Sequence, residues 1–138
     1  MSSDASGTEQ EQQPGGVAGA TEDTRVAYSA ERLAALRAAG TPVFVNMTAD
    51  WCVTCKANER RVLSGDAFKR AMADAGATYM VGDWTNVDPE ISAFLEAHGA
   101  VGVPLYVVYP AGGGDGEILP AMLTDAAVTG ALTRGGGE

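Results

Sequence analysis

Basic residues are scarce in this sequence of 138 residues, which has 9 lysines and arginines against 18 aspartates and glutamates and a net charge of −9. The first 24 positions hold no Lys or Arg, and their acidic residues account for −5 of that charge. The remaining chain therefore carries about −4. An acidic chain without a basic stripe suits neither nucleic acid nor an anionic membrane surface, so we expect neither as a partner.

Long apolar runs are missing too. No stretch reaches the roughly 18 apolar residues that a membrane-spanning helix needs, and no basic N-terminal region precedes an apolar stretch as in a signal peptide. Two interpretations stay open. The chain is a cytosolic protein, or it is a soluble piece of a longer protein that is exported or tethered to a membrane.

Cysteine and histidine are rare as well, because Cys52, Cys55 and His98 are all that the chain contains. A disulfide-stapled secreted scaffold joins distant segments, and a zinc site usually has four ligands. One Cys-x-x-Cys pair with a distant histidine fits neither pattern. Metal binding by the pair and a purely structural role in the core stay open as alternatives.

Hydrophobic periodicity and capping residues predict that helices alternate with strands. Helices are predicted over residues 29–39, 52–63, 66–75, 88–98 and 124–133, and strands over residues 42–48, 77–83, 105–109 and 117–119. This order predicts an α/β domain with a central mixed sheet, helices on both of its faces and a C-terminal hairpin. We expect that domain over residues 25–134, after an acidic disordered linker (1–24) and before a flexible tail (135–138).

The Cys-x-x-Cys pair opens the second predicted helix, directly after a buried strand. Free N–H groups at the start of a helix stabilise a thiolate, so Cys52 is expected to ionise readily and to act as the nucleophile. Cys55 lies one turn further along, on the same side and deeper. There it can attack a mixed disulfide on Cys52 and release the partner. The pair therefore predicts thiol–disulfide exchange.

Five segments of the chain carry a further pattern: Ala49-Asp50-Trp51-Cys52-Val53-Thr54-Cys55-Lys56, Phe44-Val45-Asn46-Met47-Thr48, Asn58-Glu59, Gly82-Asp83-Trp84-Thr85 and Gly102-Val103-Pro104-Leu105-Tyr106. Together they resemble the thioredoxin superfamily, and most of all the C-terminal domain of the DsbD-type transmembrane thiol:disulfide interchange proteins. The resemblance covers about residues 28–133 and implies the thioredoxin fold.

In that family the domain faces the periplasm, takes electrons from a membrane-embedded domain and passes them to a partner. The resemblance therefore implies a protein-disulfide reductase without a cofactor, acting as a monomeric, periplasmic, soluble domain of a membrane-tethered protein. Its partners would be the membrane-embedded electron donor and periplasmic thiol or disulfide proteins. Two alternatives stay open: a free-standing thioredoxin-like reductase or oxidase, and a non-catalytic module that binds a metal or a partner.

The resemblance also implies which residues meet a partner. Trp51 would shape the rim of the site, and Val103 would offer its backbone to an extended peptide. The bond from Val103 to Pro104 would be cis, with the proline facing the dithiol. The alternative is a trans proline that begins an edge strand.

Glu59 lies on the helical stripe of the two cysteines, four residues after Cys55. The family has a glutamate at this place, where a carboxylate can exchange protons with the dithiol; alternatively, Glu59 is a solvated side chain paired with Lys56. The sequence departs from the family at Asn46, where a buried aspartate is usual, because an amide cannot ionise. We therefore expect Glu59, rather than position 46, to tune the pair.

Overall fold

A computed structural model describes residues 25–135. The expected linker (1–24) and residues 136–138 of the expected tail lie outside this range and stay predictions. In chain order the elements are β1 (Val26–Ala27), α1 (Ala30–Ala38), β2 (Val43–Thr48), α2 (Val53–Asn58) with a π-helical continuation (Glu59–Leu63), α3 (Asp66–Ala75), β3 (Thr78–Asp83), α4 (Pro89–Ala97), β4 (Leu105–Tyr109), β5 (Glu117–Ile118) and α5 (Asp125–Gly135). Every helix within residues 25–135 is too short or too polar to cross a bilayer.

The strands of the described range form one mixed sheet in the order β1-β3-β2-β4-β5. β3 runs parallel to β1 and β2, whereas β4 runs antiparallel to β2 and β5. β2 lies at the centre, and all 6 of its residues are buried. The expected mixed sheet and its C-terminal hairpin are confirmed.

Each face of the sheet has its own hydrophobic core. Side chains alternate along a strand, so β2 sends Phe44 into one core and Val45 into the other. The first core is covered by the π-helical continuation of α2 together with α3 and α5, and the second by α1 and α4. The first contains Phe44, Val62, Leu63, Phe68, Met72, Tyr106, Val108, Leu119, Leu123, Val128, Ala131 and Leu132, and the second contains Leu33, Val43, Val45, Met47, Met80, Ile91, Phe94, Leu95, Leu105, Val107 and Tyr109.

Capping residues set the helix boundaries that the sequence predicts. The Ser29 hydroxyl accepts a backbone N–H of the first turn of α1 at 2.9 Å. The Asp88 carboxylate accepts two N–H groups of α4 at 2.8 and 3.2 Å, and Pro89 takes the first helical position. α3 ends at Gly76, whose φ of 67° suits a residue without a Cβ.

Three local features differ from the sequence prediction. The helix expected over 52–63 is α-helical only as far as Asn58 and continues as a π-helix to Leu63. β1 was not predicted, because two residues show no alternation pattern. α5 passes its expected end and includes Gly135 of the expected tail. Gly135 is buried against Pro110, where a Cβ would lie 3.3 Å from the proline Cα, and its carbonyl accepts the Ala111 N–H at 2.8 Å.

Asn58 fixes the end of α2 onto the sheet. Its Nδ2 donates to the Tyr106 hydroxyl at 3.0 Å and to the carbonyl of Ala121 at 2.7 Å. Its Oδ1 accepts the N–H of Leu123 at 3.1 Å. One buried amide thus joins α2, β4 and the segment that precedes α5.

We expect Asn58→Ala to lower the free energy of unfolding by about 3 kcal/mol, because it removes the partner of the buried Leu123 N–H and of the buried Tyr106 hydroxyl. Urea denaturation followed by circular dichroism measures the change. Asn86→Ala is the matched control, since Asn86 is exposed, and it should change the stability by less than about 0.5 kcal/mol. Equal effects of the two substitutions would contradict this role of Asn58.

Candidate active site

The two cysteines form a disulfide at the start of α2, with their Cα atoms 5.2 Å apart. Cys52 is the N-cap residue, and its Sγ accepts the backbone N–H of Cys55 at 3.1 Å. Cys52 is 7% exposed, whereas Cys55 is 0% exposed. The first cysteine is therefore the outer one and the second the inner one, which is the order that the sequence predicts.

Val103, which precedes Pro104, lies beside this pair. The bond from Val103 to Pro104 is cis, so the predicted cis bond is confirmed and the alternative of a trans proline is wrong. That Pro104 faces the dithiol stays a prediction. The half-buried Val103 packs against a small cluster of Ala49, Cys52 and Cys55. The fold thus brings the loop before β4 to the dithiol, although nearly fifty residues separate them in the sequence.

Thr85 holds the residues that lead into Cys52. Its hydroxyl accepts the N–H of Asp50 at 2.8 Å, and its carbonyl accepts the indole N–H of Trp51 at 3.1 Å. The hydroxyl and N–H of Thr85 in turn donate to the Asp83 carboxylate at 2.5 and 2.9 Å. These hydrogen bonds favour the ionised form and lower the pKa of Asp83. The sequence matched Thr85 to the family but did not reveal this role.

The rim of the site is apolar and exposed. Trp51 is 58% exposed, and its ring centroid lies 6.2 Å from that of Trp84. Val53, directly after Cys52, is 81% exposed. Trp84 and Val101 line a shallow groove next to this rim. Large apolar side chains in water beside a disulfide form a surface that another protein can cover.

Glu59 is held by two neighbours. One carboxylate oxygen accepts the hydroxyl of Thr48 at 2.7 Å, and the other lies 3.2 Å from the Lys56 ammonium group. Lys56 also lies 3.6 Å from the Asp50 carboxylate. The Lys56 pair named as the alternative is thus present, and it is joined by a buried hydroxyl from β2. The proton role of Glu59 stays a prediction.

Asn46 is buried in β2, on the same face as Phe44 and Thr48. Its Nδ2 donates to the Tyr79 hydroxyl at 3.0 Å. Its Oδ1 has no hydrogen-bond partner within the described part of the chain. Burial raises the pKa of Tyr79, which therefore stays a neutral phenol near pH 7.

No three His, Cys, Asp or Glu side chains of residues 25–135 converge in a way that could hold a metal ion. The chemistry that this site offers is that of its sulfur pair. An outer sulfur, an inner sulfur, a carboxylate one turn beyond and an apolar rim together suit exchange with the thiols of another protein.

Known proteins with similar sequences are thioredoxin-like proteins and thiol:disulfide interchange proteins. A family model described as thioredoxin-like matches residues 24–111. The "Thiol:disulfide interchange protein DsbD" of Yersinia enterocolitica is 32% identical over 100 residues, which are 72% of this chain and 16% of that protein. The chain therefore spans a small part of the curated relatives it matches.

Solved structures resemble the chain in fold. The C-terminal domain of Neisseria meningitidis DsbD, in its oxidised form, has a TM-score of 0.64 and 24% identity, and the match covers 80% of this chain and 98% of that one. A thioredoxin from Thermus thermophilus has a TM-score of 0.62 and 21% identity, covering 80% and 86%. At these identities the likeness concerns the fold alone.

We expect Thr85→Val to raise the pKa of Asp83 towards its ordinary value, because the hydroxyl donor is lost, while Thr85→Ser leaves it low. The ionised Asp83 stabilises the fold above the pKa that it has in the unfolded chain, and this contribution is lost as the pH falls through its lower folded pKa. The stability difference between wild type and Thr85→Val should therefore shrink below about pH 4. Carboxyl NMR titration measures the pKa, and a Thr85→Ser variant that behaves like Thr85→Val would contradict the assignment.

Proposed function

Because this chain belongs to the thioredoxin-like family and has the thioredoxin fold, we propose that it is a thiol–disulfide oxidoreductase domain that carries reducing equivalents. It receives them from a membrane-embedded electron-transfer domain and passes them to periplasmic thiol or disulfide proteins. Its reaction is protein-disulfide reduction. The observation that carries the proposal is the disulfide at the start of α2, with one sulfur near the surface and the other enclosed.

The Cys52–Cys55 disulfide is reduced in two exchange steps. A thiolate of the donor attacks Sγ of Cys52, the Cys52–Cys55 bond breaks, and its electron pair leaves on the Cys55 sulfur, which takes up a proton. The second donor thiol loses its proton and attacks the mixed disulfide, so the donor leaves oxidised. Cys52 departs as a thiolate, which the free N–H groups at the start of α2 stabilise. Two electrons have then moved to this chain.

The reduced chain delivers the electrons by the reverse chemistry. The Cys52 thiolate attacks a disulfide of the acceptor, and one acceptor sulfur leaves as a thiolate. Cys55 then loses its proton and attacks Cys52, which restores the internal disulfide and releases the reduced acceptor. The inner position of Cys55 supports this order, because a sulfur without exposed surface can reach Cys52 but not a large substrate.

The apolar rim supports an interaction with proteins rather than with small thiols. Trp51 and Val53 present exposed apolar surface around the outer cysteine. Val103 packs beside the sulfurs, where its backbone would pair with an extended segment of the partner. Aromatic residues of this kind are enriched at protein interfaces.

We expect Cys55→Ser to trap the partner on Cys52, because the resolving thiol is missing. Mass spectrometry of the trapped adduct should place the mixed disulfide on Cys52, and Cys52→Ser, the matched control, should trap nothing. An adduct that requires Cys55 and persists in Cys52→Ser would reverse the roles of the two cysteines.

We expect the wild-type chain to reduce insulin in the presence of dithiothreitol and both single Cys→Ser variants to be inactive. Equilibration with a dithiothreitol buffer should give a reduction potential well below the value of about −180 mV for protein disulfide isomerase. A potential near −120 mV, about that of the oxidant DsbA, would instead identify an oxidase. Tight metal binding without exchange would identify a non-catalytic module and overturn the proposal.

A further inference from the structure

The shallow groove beside the rim of the site lies between α4 and the loop that leads to the cis-proline. We call it the α4 groove, and its volume is about 360 Å³. Four of its six lining residues are apolar. The two polar ones, Ser92 and Glu96, lie on one face of α4, because they are four residues apart. The lining residues are Trp84, Ser92, Leu95, Glu96, Ala100 and Val101.

Trp84 joins the α4 groove to the dithiol. Its indole N–H donates to the Ser92 hydroxyl at 3.0 Å, which holds the ring against α4. The centroid of the ring lies 6.2 Å from that of Trp51. A Cβ on Gly102 would lie 3.6 Å from the same ring, and the next residue, Val103, packs against the two cysteines. The α4 groove is therefore continuous with the surface on which exchange is proposed to take place.

Negative charge is unopposed in the lining of the α4 groove. Glu96 is exposed, and its carboxylate has no hydrogen-bond or ion-pair partner within the described residues. It lies in the last turn of α4, at the negative end of the helix dipole. No Lys or Arg occurs in residues 71–133. The ring of the nearby His98 is occupied elsewhere, with Nδ1 2.8 Å from the Phe94 carbonyl oxygen and Nε2 3.1 Å from the Tyr109 hydroxyl.

A basic side chain matches this combination of apolar surface and carboxylate. Lysine and arginine lay an apolar stem on apolar surface while the charged end stays in water. An acidic side chain would be repelled by Glu96, and an uncharged one would gain no attraction from it.

The position of Val101 indicates which partner residue reaches the α4 groove. Side chains two residues apart on an extended chain point to the same side, and Val101 precedes Val103 by two residues. If a partner segment pairs beside Val103 with its cysteine at Cys52, a residue two positions from that cysteine lies opposite Val101.

We propose that the α4 groove is a specificity subsite for a lysine or arginine side chain two residues from the reacting cysteine of an extended partner segment. The inference rests on the proposed thiol–disulfide exchange. The Cys52 thiolate attacks the partner sulfur, the new disulfide forms, and the other sulfur of the partner disulfide leaves with the electron pair. The subsite takes no part in these bond changes. It favours basic partners because Glu96 attracts the charged end of the side chain while Trp84 and Val101 contact its stem.

The test uses the reduced chain and short peptides, acetyl-X-Ala-Cys-Ala-X-amide, whose cysteine carries thionitrobenzoate in a disulfide. Thionitrobenzoate is the more acidic thiol and leaves when Cys52 attacks the peptide sulfur, so its colour measures the rate. X is lysine, norleucine or glutamate, and norleucine has nearly the length of lysine without its charge. Because X stands on both sides of the cysteine, either chain direction places one X at the α4 groove.

We expect the second-order rate constant at low ionic strength to be about fivefold higher for the lysine peptide than for the norleucine peptide, and lowest for the glutamate peptide. Glu96→Gln should remove most of the lysine preference, as should about 0.5 M sodium chloride. Glu96→Lys should reverse the order and favour the glutamate peptide, which a merely structural defect would not do. Glu31→Gln and Glu31→Lys are the matched controls, since Glu31 is exposed on α1 and does not line the α4 groove. Both should keep the lysine preference.

Equal rates for the lysine and norleucine peptides, or a faster glutamate peptide, would overturn the subsite. Equal changes in the Glu31 and Glu96 variants would overturn it as well, because the overall charge of the chain would then be responsible. Release from all three peptides without a lysine preference would leave the proposed exchange standing. A chain that releases thionitrobenzoate from none of them would instead overturn the exchange itself.

Discussion

The buried central strand β2 is the constraint on which the rest of this molecule depends. It pairs with β3 on one side and β4 on the other, so all of its backbone groups can be hydrogen-bonded without water. Its alternate side chains belong to two separate cores, and its last residue leads directly into the loop that carries Cys52. A shift of its register by one residue would exchange the two cores and move the sulfur pair away from Val103.

Polar residues in this strand explain why the interior is not uniformly apolar. Asn46 and Thr48 lie on the face covered by α2 and its continuation, and Asn58 reaches back from that helix to Tyr106. Each polar group is costly in the interior unless it is paired. These hydrogen-bonded pairs therefore fix the rotation and depth of α2 more tightly than apolar packing alone. The position of the Cys52 sulfur at the start of α2 is fixed with it.

Local signals in the sequence predicted much of this structure. Ser29, Asp88 and Gly76 mark helix ends through bonds or backbone angles that involve near neighbours, and the buried run at 105–109 forms the predicted strand. The Cys-x-x-Cys motif identified the sulfur pair for the same reason. The role of Thr85 could not be predicted, because its bond to Asp50 joins residues 35 positions apart. The π-helical turn was also not predicted from the sequence, since its apolar residues are compatible with an ordinary α-helix.

Both tryptophans of the chain, Trp51 and Trp84, lie at the rim of the sulfur pair, one directly before Cys52 and the other beside it. Disulfides quench nearby excited indoles, so the ultraviolet emission of this protein originates where its chemistry takes place. Reducing or forming the Cys52–Cys55 bond should therefore change the tryptophan fluorescence intensity of the protein. The redox state of the pair can thus be followed by intrinsic fluorescence, without an added label.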